Sequence, residues 1–294
     1  MNALVDIIFS GLFQGSLYAI MAVGLALVWT TSGVFNFAHG VLIMLGAYLC
    51  WQLADEAGFG LPLYLSLPVT MIAVGLLGWG LQALVVRPFI GHSDIVLIVV
   101  IMTLASGSFL ENMTLEVWGP RPKQLPPLLP GTSSFMGFTA SMNQLAIIVA
   151  TPVILLGVWL LLHRTRLGLS LRAVAQNNDA SRLVGLKPGF LFGVSFALAA
   201  ALAALAGIFL GSFKFMSPGM GTEPLTKALI VVIFGGIGSI NGPILAAYII
   251  GLIEAASTYY LGLYWTPTLL FFILIATLMI RPEGLLAVKK RGLS

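Results

Sequence analysis

The chain has 294 residues, a formal net charge of +4, and charged side chains at only 8% of positions, against about 25% in soluble domains. Residues 7 to 54 contain no Asp, Glu, Lys or Arg at all. This composition excludes a water-soluble fold, and the lone Cys50 excludes an internal disulfide framework or a cysteine metal cluster.

Hydrocarbon about 30 Å thick takes about 20 apolar residues per helical crossing. In chain order the apolar runs are Leu4 to Trp29, Val34 to Leu53, Pro62 to Val86, Ile95 to Leu110, Gln144 to Leu162, Phe190 to Phe213, Leu225 to Phe234, Pro243 to Leu261 and Pro267 to Ile280. The fourth and seventh are short. The expectation is an all-α polytopic membrane protein, residues 1–294 forming one transmembrane domain with eight or nine helices. Leu4 to Trp29 lacks a basic leader region and a small-residue cleavage site, so it reads as a retained helix.

Two stretches interrupt the apolar pattern. Thr30 to Gly40 contains Asn36, Phe37, His39 and Gly40; Phe234 to Pro243 contains Gly235, Gly236, Gly238, Ser239 and Asn241. Gly and Pro between apolar runs break helices, and residues 212 to 240 can hold a broken or re-entrant segment, which is tolerated only where it is buried in protein or lines a cavity. Both interruptions precede a similar run ending in Ala-Tyr, a short internal likeness. Glycine pairs four residues apart at Gly11/Gly15 and Gly207/Gly211 read as helix packing. For Gly235 to Gly242 and Phe35 to Gly40, close packing and exposure of polar groups to a solute stay open together.

Lys and Arg mark the cytoplasmic side. If crossings alternate, Arg87, Arg164, Arg166, Arg172, Arg182, Lys187, Arg281, Lys289, Lys290 and Arg291 share one side, and Arg121, Lys123, Lys214 and Lys227 the other. The first set places the C-terminus and the polar segment 164–188 inside, and the loop 111–143 outside. Because the basic residues sit at membrane edges, nucleic acid is not an expected partner.

Chemistry within the membrane is sparse. The chain has no Gly-x-x-x-x-Gly-Lys-Ser/Thr loop and no His-Glu-x-x-His pair, and Gly236-Ile-Gly-Ser-Ile-Asn241 lacks the third glycine and βαβ setting of a dinucleotide site. Catalytic, cofactor-binding and metal-binding residues are therefore expected to be none. Asp6, His39 and Glu254 are the ionisable groups in or near crossings, and Glu254 reads equally as a transport group or as a carboxylate hydrogen-bonded to a neighbouring helix.

Within the polar segment, Leu171, Val174 and Ala175 share a helical face, and Gly185 with Pro188 supplies a stop. Its Arg-Ala-x-Ala followed by Asn, Ala and Gly is similar to the coupling loop of ABC importer permeases. Together with Asn36-Phe-Ala-His-Gly40, and with Gly235-Gly-Ile-Gly-Ser239 followed by Gly242 and Glu254, it resembles the LivH-type permeases of branched-chain amino acid ABC importers. The resemblance implies a non-enzymatic permease subunit in a bacterial inner membrane. Its expected partners are a homologous second permease, two ATPase subunits carrying ATP and Mg, a periplasmic solute-binding protein and the lipid bilayer. It implies that Arg166, Gly168, Arg172, Ala173, Asn177, Ala180 and Gly185 face an ATPase. It also implies that Asn36, Phe37, His39, Gly40, Gly235, Gly236, Gly238, Ser239, Asn241 and Glu254 line a pathway or gate. Departures at Asn241-Gly-Pro243 and in the proline-rich Pro120 to Pro130 bear on the solute: branched-chain amino acids lead, then other amino acids, urea or short amides. An ion-coupled carrier, and a non-transport membrane scaffold or intramembrane enzyme, are the competing classes.

Overall fold

The computed structural model describes residues 3–55, 58–90, 92, 94–135, 138–281 and 284–286. Eleven α-helices carry the chain among these residues, with one short hairpin as the only sheet. They are α1 (Ala3–Ser32), α2 (His39–Ala54), α3 (Leu63–Leu81), α4 (Ile95–Trp118), α5 (Met142–Arg164), α6 (Arg166–Gln176), α7 (Asn178–Leu183), α8 (Pro188–Gly211), α9 (Thr222–Gly235), α10 (Asn241–Leu261) and α11 (Thr266–Ile280). The hairpin strands are β1 (Thr132–Phe135) and β2 (Phe138–Ser141). Helix α3 runs on through a π turn, Gln82–Val86, and a 3-10 turn, Arg87–Phe89, where Pro88 closes it. Six helices are long and apolar enough to cross a membrane: α1, α3 with its extension, α4, α5, α8 and α10. The chain is an all-α multi-pass membrane protein.

The helix α4 differs from its expected extent. The apolar run stops at Leu110, yet the helix continues through Glu111, Asn112 and Glu116 to Trp118, and Gly119 at φ +76° ends it. Eight residues assigned to the outer loop are thus helical, and the short fourth run is a full-length helix of 24 residues.

Helices α1 and α8 are buried along most of their length, while α4 and α5 bury few of their residues, so the former are the spine of the bundle. Small residues allow this. A Cβ on Gly207 would collide with the Ile43 carbonyl oxygen, one on Gly46 with the Ala204 backbone, and one on Gly11 would lie 2.8 Å from the Leu252 Cα. Gly11, Gly15 and Gly251 lock α1 to α10, as Gly46 and Gly207 lock α2 to α8, giving the close backbone approach that membrane helices use in place of a hydrophobic driving force.

Contacts order the bundle along its axis. Thr31 donates to Ser195 at 2.8 Å, while Gly24 lies against Ala199 and Gly78 against Ala200, so α1 and α3 run antiparallel to α8. At one end Leu27, Leu162, Leu171, Val174, Leu191 and Phe192 form a separate cluster that ties α6 to α1, α5 and α8. Arg87 stands beside Gly189 at that end. At the other, Lys123 and Met216 form a backbone bridge, and the Lys123 ammonium sits 4.0 Å over the Trp51 ring. Lys289, Lys290 and Arg291 lie outside the described residues.

The apolar helices α2 and α9, like α11 with 15 residues, are too short to cross alone. At 1.5 Å per residue, α2 with 16 residues and α9 with 14 span about 24 and 20 Å. Helix α2 begins deep in the bundle: the His39 ring bonds the Met21 carbonyl, roughly two-thirds along α1. It then follows α8 toward the hairpin end. Helix α9 begins where Gly221 abuts Gly40, with each Cβ blocked by the other's backbone, and runs the opposite way. The two half-helices thus meet at their N-termini inside the bundle.

Candidate functional site

The platform at one end is made by α6 and α7. Thr165 caps α6 by accepting from the Gly168 N–H at 3.1 Å, and Asn177 caps α7 through Oδ1, which accepts from the Ala180 N–H at 2.9 Å. Each cap satisfies an otherwise orphaned helix donor. Gly168 is buried, and a Cβ there would strike the Leu161 and Leu162 carbonyls, so only glycine lets α6 fold back on α5. Leu171 and Val174 face inward as their spacing predicts; Ala173 and Ala175 are half-buried. Arg166, Arg172, Asn177, Ala180 and Gly185 are exposed, and Gly185 turns the chain at φ +81°. Beside them Leu183 is 89% and Val184 75% exposed. Sequence reasoning missed this apolar tip; the adjacent pair just before Gly185, in a segment too polar to cross, is the signal that marks it.

The first interruption is tightly used. Asn36 is buried, its Oδ1 accepts from the Ala38 N–H at 3.1 Å, and its carbonyl accepts from the His39 N–H. Its amide thus shapes the entry to α2. The Phe37 N–H donates to Thr103 on α4 at 3.2 Å, and Phe35 stacks on Trp29 with centroids 4.1 Å apart. His39 is fully buried; because a carbonyl can only accept, its Nε2 carries the proton given to Met21.

The second interruption lies at the far end of α9. Gly235 ends α9 and Asn241 starts α10, with Gly236 and Gly238 at φ +110° and +96° making the turn. Gly235 and Gly242 touch backbone to backbone, and the Ser239 hydroxyl accepts from the Gly242 N–H at 3.1 Å. The Leu285 and Leu286 N–H groups donate to the Phe234 and Gly235 carbonyls, capping α9. Asn241 is exposed. The structure therefore sets the two predicted breaks at opposite ends of α9, about 20 Å apart. What faces Gly40 is Gly221, with Leu225 of α9 beside it, in the region expected to hold a broken or re-entrant stretch.

Glu254 lies between three helices. Its Oε1 accepts from Lys227 Nζ on α9 at 2.6 Å and its Oε2 from the Tyr18 hydroxyl on α1 at 2.7 Å; all three residues are buried. Lys227, expected at the outer membrane edge by charge counting, is inside the bundle. Its partner is what permits this, since an unpaired ammonium in apolar surroundings costs far more than a paired one.

Comparison with known proteins gives a consistent result. The family described as branched-chain amino acid transport system, permease component, matches residues 7–280. The high-affinity branched-chain amino acid transport system permease protein BraD of Pseudomonas aeruginosa is 32% identical over 289 residues, covering 94% of both chains. The permease proteins LivH of Salmonella typhimurium and of Escherichia coli are each 29% identical over 293 residues, covering 95% of this chain and 94% of theirs. No solved structure matches significantly. A full-length match, together with a bundle of apolar helices carrying an anchored polar platform at one end, identifies the chain as a member of the branched-chain amino acid transport permease family.

Proposed function

We propose that this chain is the permease subunit of an ATP-binding-cassette importer that moves branched-chain amino acids across a bacterial inner membrane. The observation that carries the reading is the α6–α7 platform. Basic Arg166, Arg172 and Arg182 and the apolar tip Leu183-Val184 project from the bundle, while Leu171 and Val174 bind the same helices to α1, α5 and α8. A surface built this way transmits a push on its outer face to the crossing helices. Its partner is one of two ATPase subunits, which supply ATP and Mg; a homologous second permease completes the pathway, and a periplasmic protein delivers the solute.

In this reading the platform end and the C-terminus are cytoplasmic, the N-terminus and hairpin are periplasmic, and α2, α9 and α11 bring the six crossing helices to nine membrane segments. The antiparallel alternation of α1, α3 and α8 supports it, as does the gathering of Arg87, Arg164, Arg166, Arg172, Arg182 and Lys187 at the platform end. Residues 35–40 and 217–221, where the half-helices meet, are the central part of the pathway, and Gly235 to Asn241 its cytoplasmic hinge.

The test is reconstitution with both ATPases, the second permease and the loaded binding protein. Arg172→Glu and Gly185→Trp are expected to abolish ATP-driven leucine uptake while the complex still assembles. Normal uptake in both variants refutes the platform's role. ATP-driven uptake of urea or a short amide, with none of leucine, refutes the solute.

A further inference from the structure

The Lys227–Glu254 pair is not explained by packing. Taking two ions out of water is expensive, and apolar residues of similar volume would hold three helices together at no greater cost. A charged pair does something that leucines do not: it is satisfied at one depth and one rotation only. Lys227 stands in the second turn of α9 and is buried, so its ammonium has given up its water. Helix α9 carries that penalty, and Glu254 offsets it only when α9 is seated as found.

The seat matters because of what α9 joins. Its N-terminus abuts Gly40 at the start of α2, and its C-terminus is held by Gly242 and by Leu285 and Leu286. Residues 212–221, which lead into α9, are not helical, and the Lys227 ammonium is the only α9 side chain that hydrogen-bonds another helix among the described residues. Tyr18 fixes the other carboxylate oxygen, and its ring lies 5.6 Å from the same ammonium.

We propose that Lys227, Glu254 and Tyr18 are positioning residues of the transport cycle. They set the depth and rotation of the half-helix α9 against α1 and α10, and through it the junction of Gly40 with Gly221. This rests on the reading of the chain as an ATP-driven permease.

The experiment uses the assembled importer in proteoliposomes. Tyr18→Phe removes one hydroxyl and keeps the ring; it is expected to lower maximal uptake about tenfold, the weight of one hydrogen bond to a charged group, with KM unchanged. Lys227→Met is expected to lose uptake, and Lys227→Met with Glu254→Gln to regain the thermal stability of the complex without regaining the rate. A cysteine at Thr222, read against the fully buried Cys50, is expected to lose the nucleotide dependence of its labelling by a water-soluble maleimide in Tyr18→Phe and in the neutral pair. If the neutral pair recovers stability, rate and labelling together, the residues serve folding only and the proposal fails. If that pair does not assemble, Tyr18→Phe decides: parental rate and labelling overturn it. Failure of the permease reading shows separately, as absence of ATP-driven uptake in the unmodified complex.

Discussion

Leu171→Ala tests how the platform is held. Leu171 is 1% exposed in the cluster of Leu27, Leu162, Val174, Leu191 and Phe192. Losing three carbons removes about 2.4 kcal/mol of transfer free energy at about 0.8 per methylene, and the residual cavity brings the loss to about 3 kcal/mol. The full transfer term applies here, because α6 peeling from the bundle end exposes its apolar face to water. Deep in the bundle, where the alternative surroundings are lipid tails, it would not. A loss of about 3 kcal/mol raises the detached population about a hundredfold. Hydrogen exchange read by mass spectrometry in nanodiscs should show residues 166–183 exchanging about a hundredfold faster, while α1 and α8 keep their protection. Uptake should fall with ATP hydrolysis continuing. Unchanged exchange in 166–183 refutes the energetic argument, and faster exchange with parental uptake refutes the transmission of force through α6.

Other perturbations have equally definite outcomes. Gly207→Val places a Cβ against the Ile43 carbonyl, and overpacking of this kind costs about 1–3 kcal/mol or more; thermal melting of the purified complex should fall and α2 should become accessible to protease. Asn143 joins the hairpin end by accepting from Leu128 and donating to the Ser212 carbonyl and hydroxyl. Asn143→Ala should destabilise by about 1–3 kcal/mol, since it leaves buried groups unpaired, and should show as faster exchange around 128 and 212. Thr31→Val removes the bond to Ser195, and as a single hydrogen bond within a membrane bundle it should cost only about 0.6 kcal/mol in melting. A loss several times larger would mean that the Ser195 hydroxyl, which keeps its own donation to the Phe192 carbonyl, finds no replacement donor for its oxygen once Thr31 is altered.

Hydropathy made the long helices legible because lipid requires every crossing to be apolar and internally hydrogen-bonded. The inward face of α6 was legible from the 3.6-residue period of Leu171 and Val174. What was not legible followed from pairing between distant residues. Lys227 looked like an edge charge because its partner lies 27 positions on, across a glycine turn. Helix α4 looked short because polarity at Glu111 and Asn112 marks where apolar surroundings end, not where helical hydrogen bonding ends. The partner of the Asn36 to Gly40 break was also hidden. Ser217-Pro-Gly-Met-Gly221 has the composition of any surface loop, and only the mutual blocking of Gly40 and Gly221 shows that its last residue packs inside the bundle.

The meeting of two helix N-termini has its own electrostatic requirement. Each presents unsatisfied N–H groups and a partial positive charge of about half an elementary unit, so the ends of α2 and α9 repel unless something compensates. At α2, the Asn36 side chain and carbonyl take up the Ala38 and His39 donors. At α9, Pro224 has no N–H to satisfy and Glu223 brings a negative charge into the first turn. Lys227 adds a buried positive charge to α9, and Glu254 balances it from α10. The junction is therefore held by side chains from three elements, α9 itself, α10 and the entry to α2, so a shift of α9 along its axis breaks the ion pair at Glu254 and opens the backbone contact at Gly40. Rigid close contact at Gly40 and Gly221 then makes the response concerted: with no flexible side chain between the two backbones, α2 must move when α9 does.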